Sequence, residues 1–345
     1  MGLSKTSGPC VRPSFLIRCL LLACGLLPSA ACRLESQTRV VIVSGLGGEP
    51  AYSAAFAAEA EALATALHVR FGVPDANVLW FGEDSVGHTA HYRGESTKPN
   101  VEKAVMSIAA QAEASSQFVL VLIGHGAGEG PESRISIPGP DLDARDFARL
   151  LAAFPTQRVA FVNLTSASGD MIPTVAAANR VIITAAKTAY ERNESHFGGY
   201  FIDAFTRDGA DADKDGRVSL LEAFRYAQLE TKRFYENGSL LQSEHAQLAE
   251  DGTKEGSAAP TGRAGDGALA RRFFLDGGKA ATLAAGSDPK LAALYSEEFA
   301  LQEQIDDVRS KKGQFTGGAY DSALEPLLIS LARKAREIRT LEGRQ

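Results

Sequence analysis

Five short apolar runs recur along the chain: residues 39–44 (RVVIVS), 77–81 (NVLWF), 117–123 (QFVLVLI), 158–162 (RVAFV) and 180–184 (RVIIT). Each is continuously apolar rather than alternating, which suits strands covered on both faces. Helical patterns fill the intervals at 51–71, 100–113, 142–154 and about 171–178. Strands alternating with helices predict a mainly parallel sheet whose right-handed crossovers place helices on both faces. RRFFL at 271–275 predicts a sixth strand, closing an α/β domain over 39–280. Residues 238–268, rich in Gly, Ser, Asp and Glu, predict a long surface excursion.

Residues 288–342 change period. Leu294, Leu301, Ile305 and Val308 form one apolar stripe, and Leu324, Leu328, Leu331, Ala335 and Ile338 another, separated by GQFTGG. Spacings of three and four predict two helices and an antiparallel α-helical hairpin. The hairpin either packs on its own domain or serves as an interaction arm, where a coiled-coil seam would make an oligomer.

The chain has 345 residues, and a net charge of −6 argues against a nucleic-acid partner, which needs a basic surface. Its first 31 residues stand apart. Lys5, Arg12 and Arg18 precede CLLLACGLLPSAAC, the charged and apolar regions of an export signal, with cleavage predicted before Cys32. A cysteine at that place also suggests membrane anchoring through a lipid, with Cys24 as a rival site. The expected location is therefore extracytoplasmic, periplasmic or membrane-anchored. All four cysteines, Cys10, Cys19, Cys24 and Cys32, fall within the first 32 residues. The folded part then has no disulfide, no thiolate metal site and no cysteine nucleophile.

Candidate chemistry gathers where strands end. In FVLVLIGHGAGEG, His125 follows the third strand between Gly124 and Gly126. In RVAFVNLTSASGD, the fourth strand runs out into Thr165, Ser166, Ser168 and Gly169. Ligands of open α/β sheets bind beyond the carboxyl ends of strands, so two neighbouring strands would present an imidazole and a hydroxyl together.

A strand ending in Gly-His-Gly, then a strand ending in small residues and Ser-Gly, resembles the caspase and legumain group of cysteine peptidases. GVPDANVLWFGEDS, KPNVEKAVMSIAAQAEASSQFVLVLIGHG and VIITAAKTAYERNES followed by FGGYFIDAF extend the likeness over about residues 39–235. The resemblance implies a caspase/legumain-like, mainly parallel six-stranded sheet flanked by helices. It implies His125 as general base or acid and the Gly126 amide as an oxyanion donor. It also puts Ser166 at the cysteine position and Leu164 where the group has an acidic residue.

That departure matters. A serine hydroxyl needs a base held in the right tautomer by a third group, whereas a thiol ionises with modest help. Glu129 and Glu132 are the acidic residues that follow His125 closely. Three readings stay open. The chain is a degenerate peptidase that binds a peptide or protein in the old cleft, or a peptide hydrolase using Ser166 and His125, or a scaffold for the helical hairpin.

DADKDGRVSLLE at 211–222 has EF-hand spacing. Asp211, Asp213 and Asp215 take positions 1, 3 and 5, Arg217 offers its carbonyl, Ser219 stands at position 9 and Glu222 at position 12. The pattern predicts a structural Ca²⁺. Ser219 and Glu222 also fit a capping box that needs no metal. SGLGGEP at 44–50 reads as a glycine turn beside the cleft, lacking the spacing of a phosphate loop.

Overall fold

The computed structural model describes residues 38–83, 90–212, 217–262, 265–275 and 289–341. The expected export leader at 1–31, Cys32, and the loop residues Asp213 and Asp215 lie outside these. In chain order the strands are β1 (Thr38–Ser44), β2 (Val78–Gly82), β3 (Tyr92–Glu95), β4 (Gln117–Ile123), β5 (Gly126–Ala127), β6 (Arg134–Ile135), β7 (Leu142–Asp143), β8 (Arg158–Asn163), β9 (Arg180–Thr184) and β10 (Gln247–Glu250). The helices are α1 (Pro50–Val69), α2 (Lys98–Ala109), α3 (Ala144–Leu151), α4 (Ile172–Val175), α5 (His196–Thr206), α6 (Leu220–Asn237), α7 (Ala268–Arg271), α8 (Pro289–Ser310) and α9 (Ala319–Leu341).

One sheet has seven strands in the order β10-β9-β8-β4-β1-β2-β3, and β5, β6 and β7 form a small antiparallel sheet. All pairings in the large sheet are parallel except that of β10 with β9. Successive strand residues enter different cores, as the strand period of two requires. Val40, Ile42, Val121 and Ile183 pack in one core with residues of α1, α5 and α6. Val41, Val43, Leu120 and Phe161 pack in the other with residues of α2 and α3. Burying each such side chain contributes about 1.5–3 kcal/mol, which explains why the strands are apolar throughout.

The expected six strands become seven, for local reasons. Strands β3 (YRGE) and β10 (QLAE) carry no apolar run; each exists because a neighbouring strand supplies its hydrogen bonds. Strand β10 also lies inside the stretch expected to be a surface excursion, and all four of its residues are buried. Its outer edge is closed by Leu248 and Ser257, which exchange backbone hydrogen bonds of 2.9 and 2.8 Å. RRFFL is not a strand. The buried Glu250 carboxylate accepts from the amides of Leu269 and Ala270 at 2.8 and 3.0 Å, capping the helical turn α7 just before it. Phe274 then makes an isolated bridge to Ser219 instead of joining the sheet.

Helices α8 and α9 pack against each other, burying Leu294, Ile305 and Ile338. Arg272 reaches Asp307 of α8 at 3.5 Å. Among the described residues no helix is long and apolar enough to cross a membrane.

Candidate active site

The chain leaves the sheet centre in both directions: β1, β2 and β3 run to one edge, while β4, β8 and β9 run toward the other. The boundary between β1 and β4 is therefore the topological switch point, where a crevice opens beyond the strand ends. Three loops meet near it: Gly45-Leu46-Gly47 after β1, Gly124-His125-Gly126 after β4, and the hydroxyl cluster after β8. Hydrogen bonds tie the loops together. Gly45 N donates to Ile123 O at 2.8 Å, and Leu46 N to Ser136 O at 2.9 Å.

His125 is held firmly. Its Nε2 lies 3.2 Å from the carbonyl oxygen of Gly47, which can only accept, so Nε2 carries the proton and the neutral ring's lone pair is on Nδ1. Tyr52 and Phe56, one turn apart on α1, meet the imidazole edge-on with centroids at 4.9 and 5.0 Å. The Gly47 loop has its own anchor in Glu83, whose Oε2 accepts from Ser53 Oγ at 2.7 Å and from Gly47 N at 3.4 Å. Only glycine fits there, because a Cβ on Gly47 would lie 2.2 Å from Ser53 N.

The carboxylates that follow His125 face elsewhere. Glu132 pairs with Arg145 at 2.6 Å, and Glu129 stands 3.8 Å from Arg192. A backbone carbonyl thus occupies the orienting position. The chain pattern marks SGLGGEP as a glycine turn beside the cleft and gives it no role toward His125. Its signal was its place, directly after the central strand of the sheet.

The hydroxyl cluster is turned inward. Thr165 Oγ1 donates to Asn163 Oδ1 at 2.7 Å, and Ser168 Oγ accepts from Ala186 N at 3.1 Å. Both residues are essentially buried. Ser166, 6% exposed, has its Oγ 3.3 Å from the amide of Gly126, from which it accepts, and 3.5 Å from the Gly126 carbonyl. Among the described residues no hydrogen bond joins Ser166 to His125; the structure brings Ser166 to Gly126 and His125 to Gly47. The amide expected to receive an oxyanion therefore holds the serine hydroxyl. A Cβ on Gly126 would fall 2.1 Å from Ser166 O, so this contact too depends on glycine.

The turn itself is strained. Ala167 has φ 53, a left-handed conformation costly for alanine, and is held by its N–H bond to Glu191 O at 2.8 Å. Leu164 belongs to the core, 4% exposed, with its Cβ 3.2 Å from where a Cβ on Gly198 of α5 would lie. Further along α1, burial, followed by the charges of Glu194 and Asp203, pushes the Glu59 carboxyl up to about 7.

No family model matches the chain, and no curated protein sequence matches it. Solved structures are similar at low identity, the following two among them. The initiator caspase Dronc of Drosophila aligns at 9% identity and a TM-score of 0.41, over 70% of this chain and 85% of that one. A protein from Geobacter sulfurreducens aligns at 12% identity and a TM-score of 0.40, over 61% of this chain and 92% of that one.

The described part of the 211–222 loop is a helix start. Ser219 Oγ accepts from Glu222 N at 3.2 Å while Glu222 Oε2 accepts from Ser219 N at 2.9 Å, and Glu222 Oε1 accepts from Ala212 N at 3.0 Å. These bonds complete the capping box of α6. The Arg217 guanidinium lies 3.5 Å from the Phe274 ring centroid. Among the described residues no group of three or more His, Cys, Asp or Glu side chains is arranged to hold a metal.

Proposed function

We propose that the chain is an exported binding module built on a caspase/legumain-like α/β fold, holding an extended peptide or protein segment in a former active-site cleft without cleaving it. The observation that carries this reading is the hydrogen bond from the Gly126 amide to Ser166 Oγ, with His125 turned to Gly47. A hydrolase needs its base within hydrogen-bond reach of the nucleophile and its oxyanion donors free. Here the hydroxyl takes the donor, and among the described residues no hydrogen bond joins the imidazole to it. Export belongs to the same proposal and rests on residues 1–31 and the Cys32 position.

The test is labelling of the purified protein with a fluorophosphonate, beside Ser166→Ala and His125→Ala, together with selection of peptides from a random library on immobilised protein. The expected result is no labelling of the folded wild type and recovery of a shared peptide pattern. Labelling that vanishes in both variants would replace this proposal with the serine-hydrolase reading.

One further observation favours a role for the hairpin. Leu328 and Ile329 on α9 are 39% and 45% exposed. A second copy covering that face would make an oligomer. Light scattering of the wild type and of Leu328→Asp/Ile329→Asp reads this directly: equal monomer masses would dismiss it.

A further inference from the structure

Helix α2 presents two different stripes. Val101, Val105 and Ile108 enter the core over the central strands, while the neighbouring stripe reads Asn100, Lys103 and Ser107, with Gln111 just past the helix end. That second stripe does not simply face water. With Asn77, Leu79, Phe81 and Arg93 it walls a groove of about 450 Å³ beside β2 and β3, within the size range of small-molecule sites. Arg39 and Asn77, at the starts of β1 and β2, line the groove, whereas the His125 loops follow strand ends.

Its chemistry is one-sided. Arg39, Arg93 and Lys103 line it and, among the described residues, no Asp or Glu does, in a protein whose net charge is −6. Among the described residues the Arg93 guanidinium is met by carbonyl oxygens, those of Ala90, Tyr92 and Asp75 at 2.6, 3.2 and 3.5 Å, and by no carboxylate. Among the described residues Lys103 has no hydrogen-bond or ion-pair partner. The floor is apolar: Phe81 and Ile108 are each 6% exposed, and Leu79 is half-buried. Neutral polar side chains of Asn77, Asn100, Ser107 and Gln111 also line it, Asn100 donating to Glu95 O at 3.0 Å and Gln111 to Ser107 O at 3.1 Å.

We infer that this groove binds a small organic anion, a phosphate or carboxylate carried on a flat apolar body. The anionic group lies between Arg93 and Lys103, and the apolar body rests on Leu79, Phe81 and Ile108. Cations without carboxylate partners bind such groups through charge-assisted hydrogen bonds, and an apolar floor adds selectivity for the ring. The site is separate from the His125 and Ser166 reading and stands whether or not that reading holds.

Calorimetric titration of the full-length protein with phenyl phosphate tests it, with benzyl alcohol as an uncharged match and inorganic phosphate as the anion alone. The expected result is saturable binding of phenyl phosphate that weakens with added salt. Benzyl alcohol should not bind, and inorganic phosphate should bind at least tenfold more weakly. The variant Arg93→Gln/Lys103→Glu should lose affinity by about tenfold or more, one lost charge-assisted hydrogen bond sufficing for that factor. Should the double variant fail to fold by circular dichroism, Lys103→Gln alone carries the test, since that side chain is exposed. No binding of phenyl phosphate by the wild type, unchanged affinity in the variant, or equal affinity for inorganic phosphate would each overturn the inference.

Discussion

Glu59 makes the protein's stability depend on pH in a calculable way. The carboxyl sits on α1 against α5, with its Oε1 3.3 Å from where a Cβ on Gly199 would lie, and its pKa rises from 4.5 to about 7. Burial is the larger cause, and the negative charges of Glu194 and Asp203 add to it. Folded protein therefore holds this proton more tightly than the unfolded chain does. The stability this proton contributes is complete below pH 4.5 and is lost as pH rises through about 7. At 1.36 kcal/mol per unit the loss is at most about 3 kcal/mol. Glu59→Gln, close in shape to the protonated acid, removes the titration. Urea unfolding of wild type and variant across pH 4 to 9 should give curves that coincide at the acid end. They should separate above pH 8 by up to ~3 kcal/mol, with the variant more stable, or by several degrees in Tm. Parallel curves throughout would refute the reasoning, because they would mean that Glu59 ionises as readily in the fold as in water.

Other outcomes follow from the same geometry. Gly126→Ala, whose Cβ would meet Ser166 O at 2.1 Å, should destabilise by about 1–3 kcal/mol or more in urea unfolding. Ala167→Gly should relax the left-handed turn and raise stability by about 1 kcal/mol. Glu83→Ala should release the Gly47 loop, so nitrogen shifts of His125 by NMR should show mixed tautomers where the wild type shows Nε2–H alone. If Ca²⁺ binds at 211–222, calorimetry should detect it in the wild type and lose it in Asp213→Asn/Asp215→Asn; no heat in the wild type would leave the Ser219–Glu222 capping box as the loop's whole role.

What the sequence by itself determined is the frame: a parallel sheet covered on both faces, and glycine- and hydroxyl-rich loops at the ends of its strands. Hydrophobic period is a local property, and runs such as QFVLVLI have few ways to be buried. The absence of cysteine beyond residue 32 was equally legible, and it excluded thiol chemistry before any geometry was known. Edge strands were not legible, since β3 and β10 owe their form to a partner's hydrogen bonds rather than to their own composition. Nor was the partner of each polar group. His125 finds a carbonyl 78 residues away, and Ser166 an amide 40 residues away, through contacts that a shift of one ångström would redirect. Residue type names what a side chain is able to do, but distance and angle choose which neighbour it serves, and only the packed sheet sets those.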